Sequence, residues 1–306
     1  MTSSREVRAS MTWSLCLTSC LCGVITTVSG CAKLQCDPVE DPPAIDWADI
    51  ERRAEIVFDV TCTERTNDDL TAAYQANGVE VITRVLPTGT RYMVLVDRTG
   101  RSQEIFLAGT NLANLSEIIK ELDGAPVFNN ELGATFHRGF LSAADLVRAD
   151  VVQVLDVRFA TRLTGYSLGG ATAAILAPQL QADGFTVLSV LTFGQPKVTD
   201  QAGASQFSDQ PLLRLKAGLD GISHIQAPTY RHFGDGIILL DGDRIVYMTQ
   251  SDRNYDASTD PGLLGEDYTD HTTYLDRIPL KLNGTTATSF CDSAGFITPA
   301  AQLVCE

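Results

Sequence analysis

The sequence predicts an α/β fold, with a mostly parallel central sheet, antiparallel hairpins on its N-terminal side and flanking helices. Three observations predict it. β-Rich runs at residues 80–86, 91–96 and 103–107 follow one another through short turn signals. A buried-strand run at 159–164 leads through a glycine-rich turn into an alanine-rich helical stretch at 170–177. A long apolar run at 187–193 then follows that helix, and strands separated by helices suit a parallel arrangement.

Taken in order, residues 1–30 stand apart. Arg5 and Arg8 precede a mostly apolar stretch at 11–28, the pattern of an export signal, which takes no part in the fold. Without it 276 of the 306 residues remain, enough for one α/β domain with a sizeable core. Residues 31–45 contain Asp37-Pro38-Val39-Glu40-Asp41-Pro42-Pro43 and read as a short stiff linker. The domain is expected over 46–282, and 283–306 form a C-terminal extension. Residues 47–77 read as one or two helices. Pro87-Thr88-Gly89-Thr90 and Arg98-Thr99-Gly100-Arg101 read as hairpin turns between the first three strands. Leu112, Leu115, Ile118, Ile119 and Leu122 fall on one face of an amphipathic helix. Apolar runs at 222–232, 237–240 and 244–248 complete the strand set, with Asp241-Gly242-Asp243 between the last two a hairpin turn rather than a calcium loop.

Gly165-Tyr166-Ser167-Leu168-Gly169 carries the chemistry. Gly-x-Ser-x-Gly between strand and helix is the sequence form of a nucleophile elbow, in which the serine sits on a strained turn. Gly165 and Gly169 are small because the backbone passes close on both sides. The bland alternative is a glycine-rich loop with a capping serine. A serine hydroxyl needs a base, usually a histidine oriented by a carboxylate, and α/β-hydrolase sheets present them in the chain order serine, acid, histidine. Of the four histidines, His137 precedes Ser167, and His224 and His232 follow it too closely to leave room for the acid. His271 remains. The acid is expected at Asp235, after the second strand beyond the nucleophile, with Asp200 as the alternative.

These residues belong to a longer pattern. Phe106-Leu107-Ala108-Gly109-Thr110, His137-Arg138-Gly139-Phe140-Leu141, Gly165 to Gly170, Thr192-Phe193-Gly194-Gln195-Pro196, His232-Phe233-Gly234-Asp235 and His271-Thr272-Thr273-Tyr274 resemble, in order and character, the blocks of the class 3 lipases, the α/β-hydrolases similar to fungal triacylglycerol lipases. The resemblance covers roughly residues 45–282. It implies Asp235 as the acid, at the end of a His-x-x-Asp block. It also implies an oxyanion hole formed at Thr110 and by the backbone N–H of Leu168, where losing one donor costs on the order of 10²-fold or more in rate. It further implies that the helix at 111–122 is a lid, an ordinary surface helix being the alternative. Three positions depart from the family: Tyr166 replaces a histidine, Ala108 an arginine, and Gly236-Ile237-Ile238-Leu239-Leu240 a proline-rich segment. None removes a catalytic group, and they bear on substrate preference and pocket shape.

Val28-Ser29-Gly30-Cys31 resembles the lipobox of bacterial lipoproteins, which implies cleavage before Cys31, its acylation and a membrane anchor, and Ala32 would then permit outer-membrane sorting. A plain cleaved signal or an uncleaved anchor are the alternatives. Of the eight cysteines, Cys36, Cys62, Cys291 and Cys305 lie beyond this region. An even number in an exported chain suggests two disulfides, with Cys291–Cys305 and Cys36–Cys62 the preferred pairing. The formal charge of −15 disfavours nucleic acid and anionic surfaces and favours neutral esters. No metal motif occurs, and ester hydrolysis by a serine needs no cofactor. No protein partner is implied. The expected function is a serine carboxylester hydrolase, a lipase on a bacterial envelope membrane. A phospholipase A or acyltransferase with the same triad, or a non-catalytic surface binding protein on a hydrolase fold, are the alternatives.

Overall fold

The structure is a computed structural model that describes residues 44–75, 78–110, 124–218, 220–224, 229–248 and 269–289. The first elements among the described residues are α1 (Trp47–Thr61) and α2 (Asn67–Tyr74). Asp46 caps α1 by accepting the Asp49 N–H at 3.0 Å, and Thr66 with Asp69 forms a capping box on α2. Strands β1 (Val79–Val85), β2 (Arg91–Asp97) and β3 (Ser102–Leu107) then run as two antiparallel hairpins, as their turn residues require.

The remaining elements are β4 (Pro126–Asn129), β5 (Ala134–His137), α3 (Arg138–Val151), β6 (Ala160–Tyr166), α4 (Leu168–Ala182), β7 (Thr186–Phe193), α5 (Gln201–Gln206), β8 (Leu212–Ala217), β9 (Asp235–Leu239), β10 (Arg244–Met248), α6 (Tyr274–Arg277) and β11 (Thr286–Ser289). Among the described residues the main sheet has nine strands in the order β1-β2-β3-β6-β7-β8-β9-β10-β11. Its centre, β3 through β9, is parallel, so all the C-terminal ends of β6, β7 and β8 open onto one edge. The turn at 241–243 joins the antiparallel pair β9 and β10.

Period-two alternation sends side chains to two cores. Tyr92, Val94, Val96, Ile105 and Leu107 face one core, built with α3 and α4, while Met93 and Phe106 face the other, built with α1. Helix α4 is buried along nearly its whole length, from Gly169 to Leu180, which is why its sequence is alanine-rich rather than amphipathic.

One strand departs from the sequence expectation. The described part of 222–232 forms no strand of the sheet: Gly221–His224 is a turn of 3-10 helix. The second strand after the nucleophile is instead β8, Leu212-Leu213-Arg214-Leu215-Lys216-Ala217. Arg214 and Lys216 are buried in it, and two charged residues break the apolar run by which a central strand is recognised. The lid segment, Cys31, Cys36, Cys291 and Cys305 lie outside the described residues. Cys62, at the end of α1, is exposed.

Candidate active site

Ser167 sits between β6 and α4 with φ 55° and ψ −121°, a left-handed conformation that costs a non-glycine residue strain. As the residue before α4 it makes no side-chain capping bond, so the capping-serine alternative does not describe it. The flanking glycines are sterically fixed. A Cβ on Gly165 would collide with the Gly169 carbonyl, and one on Gly169 with the carbonyls of Leu107 and Ala108. Strand, elbow and helix are therefore in contact through bare backbone.

His271 is fully buried in a 3-10 turn, Thr269–Thr272, and its Nδ1 lies 2.8 Å from Asp220 Oδ2. Asp220 is fully buried too. It accepts the Tyr274 hydroxyl at 2.6 Å and the Ile222 N–H at 2.9 Å. Burial alone would raise its carboxyl, but the charge and hydrogen bond of His271, with the Tyr274 and Ile222 bonds, outweigh burial and hold it below the ordinary carboxylate value. Burial, and then the Asp220 charge, push the Tyr274 hydroxyl well above its usual range, so it stays a donor.

The acid expected at Asp235 does not meet the base. Asp235 opens β9, paired with Leu213, so it lies at the N-terminal end of a parallel strand, roughly 13 Å along the strand from the edge that carries Ser167 and Asp220. Asp200, the alternative, caps α5 by accepting the Gly203 N–H at 2.8 Å. The expected rule, an acid after the second strand beyond the nucleophile, is met by Asp220 following β8. Its sequence signal was Leu212–Ala217 with Gly218 and Asp220 behind it, masked by Arg214 and Lys216.

Gly194 is a further site residue without a sequence assignment. It has φ 59°, and a Cβ there would strike His271, with Nδ1 at 2.6 Å and Asp220 Oδ2 at 2.8 Å. The N–H of Ser167 donates to the Phe193 carbonyl at 2.8 Å, so nucleophile elbow and histidine pocket share the end of β7. Ser167 Oγ and His271 Nε2 are both buried with no hydrogen-bond partner among the described residues. Thr110 and Leu168 both line a cavity of about 700 Å³ between α2, the β1–β2 turn and the start of α4. The Gly109 N–H is taken by Thr61 Oγ1 at 3.0 Å, which secures the turn leading to Thr110.

Comparison with known proteins agrees with this architecture. Residues 105–229 match the model of the family described as lipase (class 3), a span that runs from β3 past Asp220 and stops before Asp235. A secreted mono- and diacylglycerol lipase of Fusarium solani is 27% identical over 214 residues, covering 64% of this chain and 63% of that protein. The Rhizomucor miehei lipase in complex with its propeptide superposes with a TM-score of 0.58 at 21% identity, over 76% of this chain and 82% of that one. Lipase II of Rhizopus niveus gives 0.57 at 19% identity, over 75% and 95%. At these identities the structures establish the α/β-hydrolase fold. Over residues 105–229, which hold the elbow and its neighbouring strands, the chain is similar to the class 3 lipases.

Proposed function

We propose that the protein is a serine carboxylester hydrolase, a lipase acting on acylglycerol esters, with Ser167 as nucleophile, His271 as base and Asp220 in place of Asp235 as the acid. The observation that carries this reading is the buried Asp220–His271 pair at 2.8 Å beside a serine held at positive φ with its hydroxyl unpartnered. Ser167 Oγ attacks the ester carbonyl as His271 Nε2 takes its proton. Asp220, on Nδ1, fixes the tautomer and stabilises the imidazolium. The imidazolium then protonates the departing alcohol, and water, activated by the same nitrogen, releases the acid. The N–H groups of Leu168, first residue of α4, and of Thr110 are the donors for the oxyanion, aided by the positive end of the helix. The Fusarium relative is named as secreted and as acting on mono- and diacylglycerols, which supports a neutral lipid ester and an exported protein. Val28-Ser29-Gly30-Cys31 supports the finer reading of a lipid anchor at Cys31.

Hydrolysis of a p-nitrophenyl ester series from acetate to palmitate tests the proposal. Ser167→Ala is expected to lower turnover by roughly 10⁴-fold or more while the domain stays folded. A folded variant that retains most of the activity would remove the mechanism, and the chain-length profile divides esterase from lipase.

A further inference from the structure

Tyr166 stands between the two halves of the site, at the position where the family usually has a histidine. It is the last residue of β6, covalently next to Ser167, and it is fully buried. Its ring stacks on the His271 imidazole with centroids 4.7 Å apart and planes at 25°. Its hydroxyl donates to the backbone carbonyl of His271 at 2.8 Å. Phe58 presses on the phenol at 4.4 Å, and Tyr274 meets its edge at 6.2 Å, so Tyr166 has no freedom to turn.

Asp220 and Tyr166 do different things to the base. A single hydrogen bond to Nδ1 pins one atom and leaves the ring free to swing about it. A flat partner against the ring fixes its plane, and a bond to the same residue's carbonyl fixes how far its backbone stands from β6. His271 arrives from a separate part of the chain, 105 residues beyond Tyr166, so nothing local sets its place relative to the nucleophile. We propose that Tyr166 is a positioning residue that references His271 to the strand bearing Ser167, so that Nε2 faces Oγ. This rests on reading His271 as the base. Burial, followed by the Asp220 charge, pushes the phenol above the ordinary tyrosine range, so it remains a donor throughout any assay near neutrality.

The full chain carrying Tyr166→Leu, Tyr166→Phe or Tyr166→His is assayed with p-nitrophenyl butyrate, and Ser167 reactivity is read separately by labelling with a fluorophosphonate. Misplacing a catalytic group by about 1 Å costs on the order of 10²-fold, so Tyr166→Leu is expected to lose about that much kcat with KM within about twofold. Tyr166→Phe, which keeps the stack and drops the hydroxyl, is expected to lose about tenfold, and Tyr166→His, which restores a flat ring, to recover most of the Leu loss. Labelling rates should fall in the same order as kcat. The proposal is overturned if Tyr166→Leu keeps kcat within about twofold, if KM rises in proportion, or if His is no better than Leu. If Tyr166→Leu does not fold, Tyr166→Phe decides alone, an unchanged kcat being the refuting result. Wild-type protein that neither turns over nor labels would instead sink the hydrolase reading itself.

Discussion

At the scale of single residues, the site is a set of steric and electrostatic necessities. Asp220 and Asp235 are both near strand ends, but only Asp220 reaches the imidazole. Asp220→Asn is expected to lower kcat by roughly 10⁴-fold with the fold retained, because the amide favours the wrong imidazole tautomer. Asp235→Asn should leave kcat within about threefold, and the reverse ranking in the same ester assay would restore Asp235 as the acid. Gly194 supplies a different test. Its backbone is left-handed, and any side chain there occupies the space of the Asp220–His271 contact. Gly194→Ala should cost about 10²-fold in kcat by displacing the imidazole, measurable beside an unchanged circular dichroism spectrum. The elbow itself was legible in the sequence, because Gly165 and Gly169 are demanded by contacts within the motif and its own strand. The Asp220–His271 pair was not, because its two members are 51 residues apart and the strand before Asp220 carries two buried charges.

At the scale of elements, helix α1 is docked on the sheet by more than apolar contact. Arg53, almost fully buried, donates to Thr164 Oγ1 at 2.9 Å, to Ser189 Oγ at 3.2 Å and to the Leu163 carbonyl, with Asp49 at 3.6 Å. Burial, together with the nearby Arg162 charge, lowers its guanidinium to about 10. The side chain ties α1 to β6, the strand that ends at Tyr166 and Ser167. Arg53→Ala leaves Thr164, Ser189 and the Leu163 carbonyl without their buried donor and opens a cavity under α1, and is expected to cost about 3 kcal/mol in urea unfolding. A loss under about 0.5 kcal/mol would show that the apolar contacts of α1 suffice without it. The first three strands and the two N-terminal helices were readable from turn residues and β-rich runs. Helix α3 and strand β8 were not assigned: α3 follows β5 without a side-chain cap, and Arg214 and Lys216 interrupt β8.

At the scale of the whole molecule, the question is where the protein acts. A chain of formal charge −15 is repelled by anionic surfaces, so binding to a membrane through surface charge is disfavoured. Covalent lipid at Cys31 would hold it there regardless, since several acyl chains anchor far more firmly than one. Expression with labelled palmitate in a bacterial host should mark the wild-type protein and fractionate it with membranes, while Cys31→Ser should lose the label and become soluble. Label retained in Cys31→Ser would place the acylation at another residue, and a wild-type protein released unlabelled would leave plain secretion, the property named for the Fusarium relative.

The sequence by itself determined the α/β class, the hairpin order of the first strands and the glycine-flanked turn that carries Ser167. Each follows from local sterics, short-range periodicity or chain order, which need no knowledge of distant contacts. Only the tertiary structure decided that Asp220 meets His271, that Asp235 faces the other end of the sheet, that Gly194 must be bare and that Tyr166 backs the imidazole. Those relations depend on which strand ends share an edge, a matter of sheet order and register between residues far apart in the chain.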